Sequence, residues 1–176
     1  LIDEVFVSTD SEEYKNIALQ TGASVPFLRP KEISTDLSTD YEFILHALDW
    51  FSKNGGEPEF IAHIRPTTPL RDPYVIDEAI QAFKNRIEKF TALRSIHPMS
   101  ESAYKTFEIA SSGHLKCLGS DNTEIDDANH ARQSLPQTYI ANGYVDVISS
   151  SFVRQYKVIH GNQVMPFITS TSYEID

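Results

Sequence analysis

The chain has 176 residues, 40% hydrophobic and 23% charged, which suits one folded domain with a real core and is too apolar for a disordered segment. Its 15 Lys and Arg against 25 Asp and Glu leave a formal net charge of −10, arguing against a surface that neutralises nucleic acid or lies on an anionic membrane. No apolar run approaches the roughly 20 residues that span a bilayer, no signal-peptide pattern opens the chain, and the single Cys117 excludes an internal disulfide framework or a thiolate zinc cluster, so the cytoplasm is the expected compartment.

Val5-Phe6-Val7 reads as a short buried strand, closed by Ser8-Thr9-Asp10-Ser11, whose side chains can cap a helix from about Glu12 to Gln20. That helix ends at Thr21-Gly22, with Gly22 suited to a left-handed cap. Val25-Pro26-Phe27-Leu28 follows, then a polar loop from Arg29 to Ser38. Thr39 and Glu42 have capping-box spacing, and Ile44, Leu45, Leu48 and Phe51 recur at helical intervals until Asn54-Gly55-Gly56 stops the helix. Glu59 to Ile64 reads as a strand. Asp72 is a natural N-cap with Pro73 at the first helical position, and Val75, Ile76, Ala79, Ile80 and Phe83 make one apolar stripe. Further strands are predicted at Thr91–Ile96, Tyr144–Ile148 and Val164–Ile168, with a short helix at Ser151–Tyr156. Tyr104–Ala110 and His114–Leu118, joined through Ser111-Ser112-Gly113, read as a hairpin, and Asp121–Gln137 as loop-rich.

Strands separated by helices imply an α/β fold: a mostly parallel sheet with helices on both faces, from which the antiparallel hairpin departs. Ligands of such sheets collect at the carboxyl ends of the strands, so the loops Ser8–Ser11 and Arg65–Arg71 are expected to border one cleft.

Several segments could carry chemistry. Arg65-Pro66-Thr67-Thr68-Pro69-Leu70-Arg71 sets two guanidiniums and two hydroxyls on a stiff loop, a surface for phosphate or carboxylate or else a proline-rich connection with solvated arginines. Arg132-Gln133-Ser134-Leu135-Pro136-Gln137 with Asn142-Gly143 is either a functional loop or an ordinary surface one. Glu174 and Asp176 stand two apart; on an extended strand both carboxylates point to one side and could hold a hard divalent cation, or they are a solvated acidic end. The six histidines never fall at i, i+4 or as His-x-His, so zinc is not expected, and His46 and His63 are read as structural. No Gly-x-Ser-x-Gly elbow supports a hydrolase, and Cys117 is read as strand packing.

Taken in order, Val7-Ser8-Thr9-Asp10-Ser11, Phe27-Leu28-Arg29-Pro30-Lys31-Glu32, Arg65 to Arg71, Lys105-Thr106, Arg132 to Gln137 with Asn142-Gly143, and Glu174-Ile175-Asp176 resemble the acylneuraminate cytidylyltransferases over essentially the whole chain. The resemblance implies a Rossmann-like nucleotidyltransferase that joins CTP to a nonulosonic (sialic-type) acid, with Mg2+ as cofactor, giving the CMP-sugar and pyrophosphate. It further implies one domain over 1–176 and a homodimer whose extension, about 97–140, reaches the partner's site. By the same resemblance Asp10 is a substrate-binding residue, and Arg29 and Ser38 match positions near the cytidine. Lys105, reaching in from the partner subunit, and Arg132 match cationic contacts to triphosphate or sugar carboxylate, and with Asp176 they are the catalytic residues that the resemblance implies. Gln137 and Asn142 match the sugar pocket, and Glu174 and Asp176 match the metal-binding pair.

Some positions depart from the family. Arg65 stands where Gln is typical, Asp146 where an aromatic is common, Ile140 where a basic residue is frequent, and Glu174 where Asp is usual. These leave the sugar open between N-acetylneuraminate and legionaminic or pseudaminic types. The family's first strand and basic, glycine-containing loop are not in this sequence, so these 176 residues alone are expected to be inactive. Alternatives are a 3-deoxy-manno-octulosonate cytidylyltransferase or another nucleotide-sugar enzyme, and a noncatalytic nucleotide- or sugar-binding or assembly module.

Overall fold

A computed structural model describes residues 1–119 and 123–169. Four helices are present among them: α1 (Glu12–Gln20), α2 (Asp40–Lys53), α3 (Pro73–Lys84) and α4 (Ser150–Tyr156). Six strands accompany them: β1 (Phe60–His63), β2 (Ala92–Pro98), β3 (Phe107–Ile109), β4 (Leu115–Cys117), β5 (Tyr139–Ser149) and β6 (Val164–Ile168).

Local chemistry explains the helix starts. Ser11 Oγ accepts from the Tyr14 amide at the head of α1. Glu42 Oε2 accepts the Thr39 N–H at 2.6 Å and the Thr39 hydroxyl at 3.0 Å at the head of α2. Asp72 Oδ1 accepts from the Tyr74 amide in front of Pro73 on α3. The extended segments near the start do not mature into strands. Phe6 bridges Ser24 and Thr9 bridges Leu28, both parallel, as two isolated pairings.

The main sheet has the order β1-β5-β2-β6 and is mixed. β5 pairs antiparallel with both β1 and β2, and β2 pairs parallel with β6. Three strands thus share one direction and β5 opposes them, which corrects the expectation of a mostly parallel sheet at the level of neighbouring pairs. The connection explains the reversal. Residues 99–138 link β2 to β5 through the β3–β4 hairpin and short turns, with no crossover helix among the described residues to return the chain to the same end.

Alternation along the strands sorts the core into two layers. Phe83, Ile80 and Ala79 of α3 pack with Leu93, Val145 and Val147. Ile44 and Leu48 of α2 and Val153 of α4 pack with Ile61 and Ile148 on the opposite face. Helices therefore cover both faces, as expected.

β5 carries one large irregularity. Arg94 pairs with Asp146 and Ile96 with Ala141, so residues 142–145 bulge opposite Ser95 alone. Ser95 Oγ accepts the Val145 amide at 2.9 Å, and Asn142 Oδ1 accepts the Tyr144 amide at 3.2 Å. Gly143 has φ 61°, and a Cβ there would meet Thr68 Oγ1 at 3.2 Å. The bulge thereby admits the Arg65–Arg71 loop against β5.

Candidate active site

The last residue of β1, the middle of β2 and the bulged half of β5 meet at the carboxyl end of the three co-directional strands. His63, Asp146 and Arg94 form one transverse row there, because His63 pairs with Asp146 and Asp146 with Arg94. Strand alternation turns all three toward the face covered by α2 and α4, as it does Ile61 and Ile148.

Asp146 is the centre of this row, its side chain 1% exposed. The Arg65 guanidinium donates to Asp146 Oδ2 at 3.0 Å and, from its other nitrogen, to Asp40 Oδ2 at 2.5 Å at the head of α2. His160 Nε2, on the turn between α4 and β6, stands 3.3 Å from Asp146 Oδ2, and Arg94 Nε stands 3.9 Å from Oδ1. Burial opposes ionisation of Asp146, yet His160, Arg65 and Arg94 together outweigh it and hold the carboxyl below the usual aspartate value. Burial likewise opposes the charge on Arg65, and Asp146 and Asp40 outweigh it, raising that guanidinium above its ordinary value. His63 goes the other way: burial, with Arg65 adding to it, pushes the imidazole down against the pull of Asp40 and Asp146. The cluster at neutral pH is an ionised Asp146 and a fully charged Arg65 beside a neutral His63.

A second arginine braces the loop. Arg71 donates to the Tyr144 carbonyl at 2.7 Å, to the Gly143 carbonyl at 2.9 Å and to the Arg65 carbonyl. Burial pushes its pKa down. Both arginines of the loop are thus engaged within the fold, and neither reading made from sequence anticipated this: Arg71 grips the bulge, and Arg65 has its charge compensated by two aspartates.

The remaining candidates fall into three places. Arg29 donates through Nε to Ser34 Oγ at 2.9 Å, pairs with Asp10 at 3.8 Å and lies over the Phe43 ring at 5.5 Å. Phe43 in turn meets the His63 ring edge-on at 5.3 Å, so Asp10 and Arg29 connect to the Asp146 cluster through one side chain of α2. The loops at Ser8–Ser11 and Arg65–Arg71 are linked by this route. Ser38 accepts the Thr35 amide within the polar loop. Arg132 and Gln137 line a separate hollow with Met99, Ser102, Leu135 and Thr138, and Lys105 lies on the neighbouring turn at Ala103–Lys105. Asn142 is fully buried, its Nδ2 donating to Thr169 Oγ1 at 2.6 Å, so its amide ties β5 to the end of β6. Glu174 and Asp176 lie outside the described residues.

Asp40, Arg94 and His160 were not singled out from the sequence, and His63 was read only as structural. A charge inside the apolar run Ala92-Leu93-Arg94-Ser95-Ile96 was the one available signal for Arg94; nothing local marks His160. Chemically, the cluster suits alignment and hydrogen bonding. A carboxylate held below its usual pKa is a weak base, so Asp146 is poorly matched to proton abstraction at neutral pH. Among the described residues, no helix is long and apolar enough to cross a membrane.

A model of the cytidylyltransferase family matches residues 1–142. The N-acylneuraminate cytidylyltransferase of Escherichia coli is 27% identical over 176 residues, covering 100% of this chain and 39% of its own length. The CMP-N,N'-diacetyllegionaminic acid synthase of Legionella pneumophila is 32% identical over 115 residues, 64% of this chain and 47% of its own. This chain therefore spans less than half the length of either relative. Among solved structures, CMP:2-keto-3-deoxy-manno-octonic acid synthetase complexed with CTP superposes with a TM-score of 0.65 at 9% identity, covering 99% of this chain and 76% of the other. At that identity the likeness is one of fold.

Proposed function

The chain belongs to the cytidylyltransferase family, and on that premise we propose that the protein activates a nonulosonic acid with CTP, giving the CMP-sugar and pyrophosphate. The observation that carries this reading is the family match over residues 1–142, joined by relatives named for sialic and legionaminic acid activation. In the proposed step the anomeric hydroxyl oxygen bonds to the α-phosphorus of CTP, the bond from that phosphorus to the bridging oxygen breaks, and pyrophosphate leaves. The hydroxyl proton passes to solvent. Such a step asks the protein mainly for alignment and charge neutralisation, which fits a site of fixed ion pairs whose central carboxylate is a weak base.

Asp10, Arg29 and Ser38 are proposed on the cytidine side, Arg65 and Asp146 with Gln137 on the sugar side, Asn142 behind them as the buried amide that holds the bulge, and Lys105 and Arg132 as cations toward the anionic groups. Glu174 and Asp176 offer carboxylate oxygens, the donor type that Mg2+ prefers; bound there, the ion would neutralise phosphate oxygens. A Rossmann-like nucleotidyltransferase fold and homodimerisation through about 97–140 belong to the same proposal. Ile109 and Leu118 on the hairpin, 77% and 53% exposed, support the latter.

The test is pyrophosphate release by the complete protein with CTP and a panel of N-acetylneuraminic, legionaminic and pseudaminic acids. Release with one of them is expected; none with any refutes the reading.

A further inference from the structure

Three buried polar atoms around Asp146 make no well-aligned hydrogen bond among the described residues: His63 Nδ1, Asp146 Oδ1 and His160 Nε2, the last in contact with Asp146 Oδ2 at 3.3 Å. They belong to one place. His63 and Asp146 are register partners, and His160 lies 3.3 Å from the other oxygen of the same carboxylate. Arg94 Nε, at 3.9 Å, is too far to satisfy Oδ1. A buried polar atom left unpaired is destabilising, so three together call for an occupant.

The chemistry of the three atoms selects it. Asp146 is an ionised acceptor, and each imidazole can present a ring N–H as a donor. An anion would oppose the carboxylate, and a methyl group would leave all three atoms unpaired. A hydroxyl fits: one O–H for Asp146 Oδ1 and two lone pairs for the imidazole N–H groups. The cluster reaches solvent through Arg65 and Arg94, 24% and 38% exposed.

We propose that Asp146, His63 and His160 form a subsite that reads one hydroxyl of the sugar acid and so sets which nonulosonic acid is accepted. This deepens the cytidylyltransferase reading and rests on it. His160 acts as a specificity residue with no part in bond breaking.

The experiment uses the complete protein, the nonulosonic acid it turns over fastest, and the singly deoxygenated analogues of that acid. Removing the hydroxyl that is read should lower kcat/KM about 10- to 100-fold, chiefly through the KM for the sugar. In His160→Gln the discrimination should shrink several-fold while the KM for CTP stays put. Asp146→Asn is the second variant; circular dichroism establishes that each variant folds, and His160→Gln, at a ring 3.3 Å from Asp146 Oδ2, decides the matter should Asp146→Asn not fold. Equal kcat/KM for every analogue, or equal rises in both KM values in His160→Gln, overturns the proposal. So does a sugar-bound crystal structure in which an ordered water alone fills the slot. Turnover without discrimination sinks this inference and leaves the cytidylyltransferase reading standing, whereas no turnover of any sugar acid sinks both.

Discussion

Arg65→Ala removes a group that joins the Arg65–Arg71 loop, α2 and β5 by ion pairs. The guanidinium serves Asp146 at 3.0 Å and Asp40 at 2.5 Å, and Asp146 is 1% exposed while Asp40 is 34% exposed. Breaking a buried pair from one side costs about 3–5 kcal/mol when the stranded charge has no other support. Here His160 at 3.3 Å and Arg94 at 3.9 Å remain, and Arg65 itself is partly solvated. We therefore expect about 2 kcal/mol, a drop in Tm of about 4–8 °C for a domain of this size. The pH dependence gives a second reading. Asp146 titrates below its unfolded value, so its contribution is full above the unfolded pKa of about 3.9 and disappears as pH falls through the folded value. Without Arg65 that folded value rises toward the unfolded one, so the variant has less of this contribution and has lost all of it by a higher pH, and the gap to wild type narrows in strong acid where both carboxyls are neutral. Urea unfolding of wild type, Arg65→Ala, Asp146→Ala and the double variant from pH 7 to about pH 3 measures both effects. A wild-type-like stability of Arg65→Ala at pH 7, within about 0.5 kcal/mol, or a double-variant cycle with no coupling, would refute the reasoning.

Gly143→Ala should cost about 1–2 kcal/mol, because φ 61° strains an L-residue and the new Cβ would press on Thr68 Oγ1 at 3.2 Å; thermal melting checks it, and an unchanged Tm would mean the loop yields freely. Ile109→Asp, at a position 77% exposed, should leave the fold intact and shift the complete protein toward monomer on size exclusion; an unaltered elution volume would place the dimer contact elsewhere. Asp176→Asn in the complete protein should lower turnover by at least about tenfold with little change in Tm, since the amide keeps the shape of the side chain and removes charge from the expected metal pair; an unchanged rate and magnesium dependence would remove Asp176 from the site.

Much of the architecture is written in short-range pattern. Thr39 and Glu42 are three residues apart and bond as their spacing required. Asp72 before Pro73 starts α3, and the stripe from Ile76 to Phe83 faces the core because 3.6-residue periodicity allows nothing else. Strand direction is another kind of fact. Val145 and Val147 alternate identically whichever way β5 runs, so its reversal comes from the connection at residues 99–138 and from pairing with β1 and β2. The candidate site is less local still. Arg65 meets Asp146 across a separation of 81 residues, and no window of sequence records that Asp40 compensates the same guanidinium or that His160 closes on the same carboxylate. Composition and residue order determined the elements, the family and the charges available. Only the packing of α2 and the α4–β6 turn over the bulged end of β5 decided which charges are buried together, because pairing energy depends on distance in space and on exclusion of water.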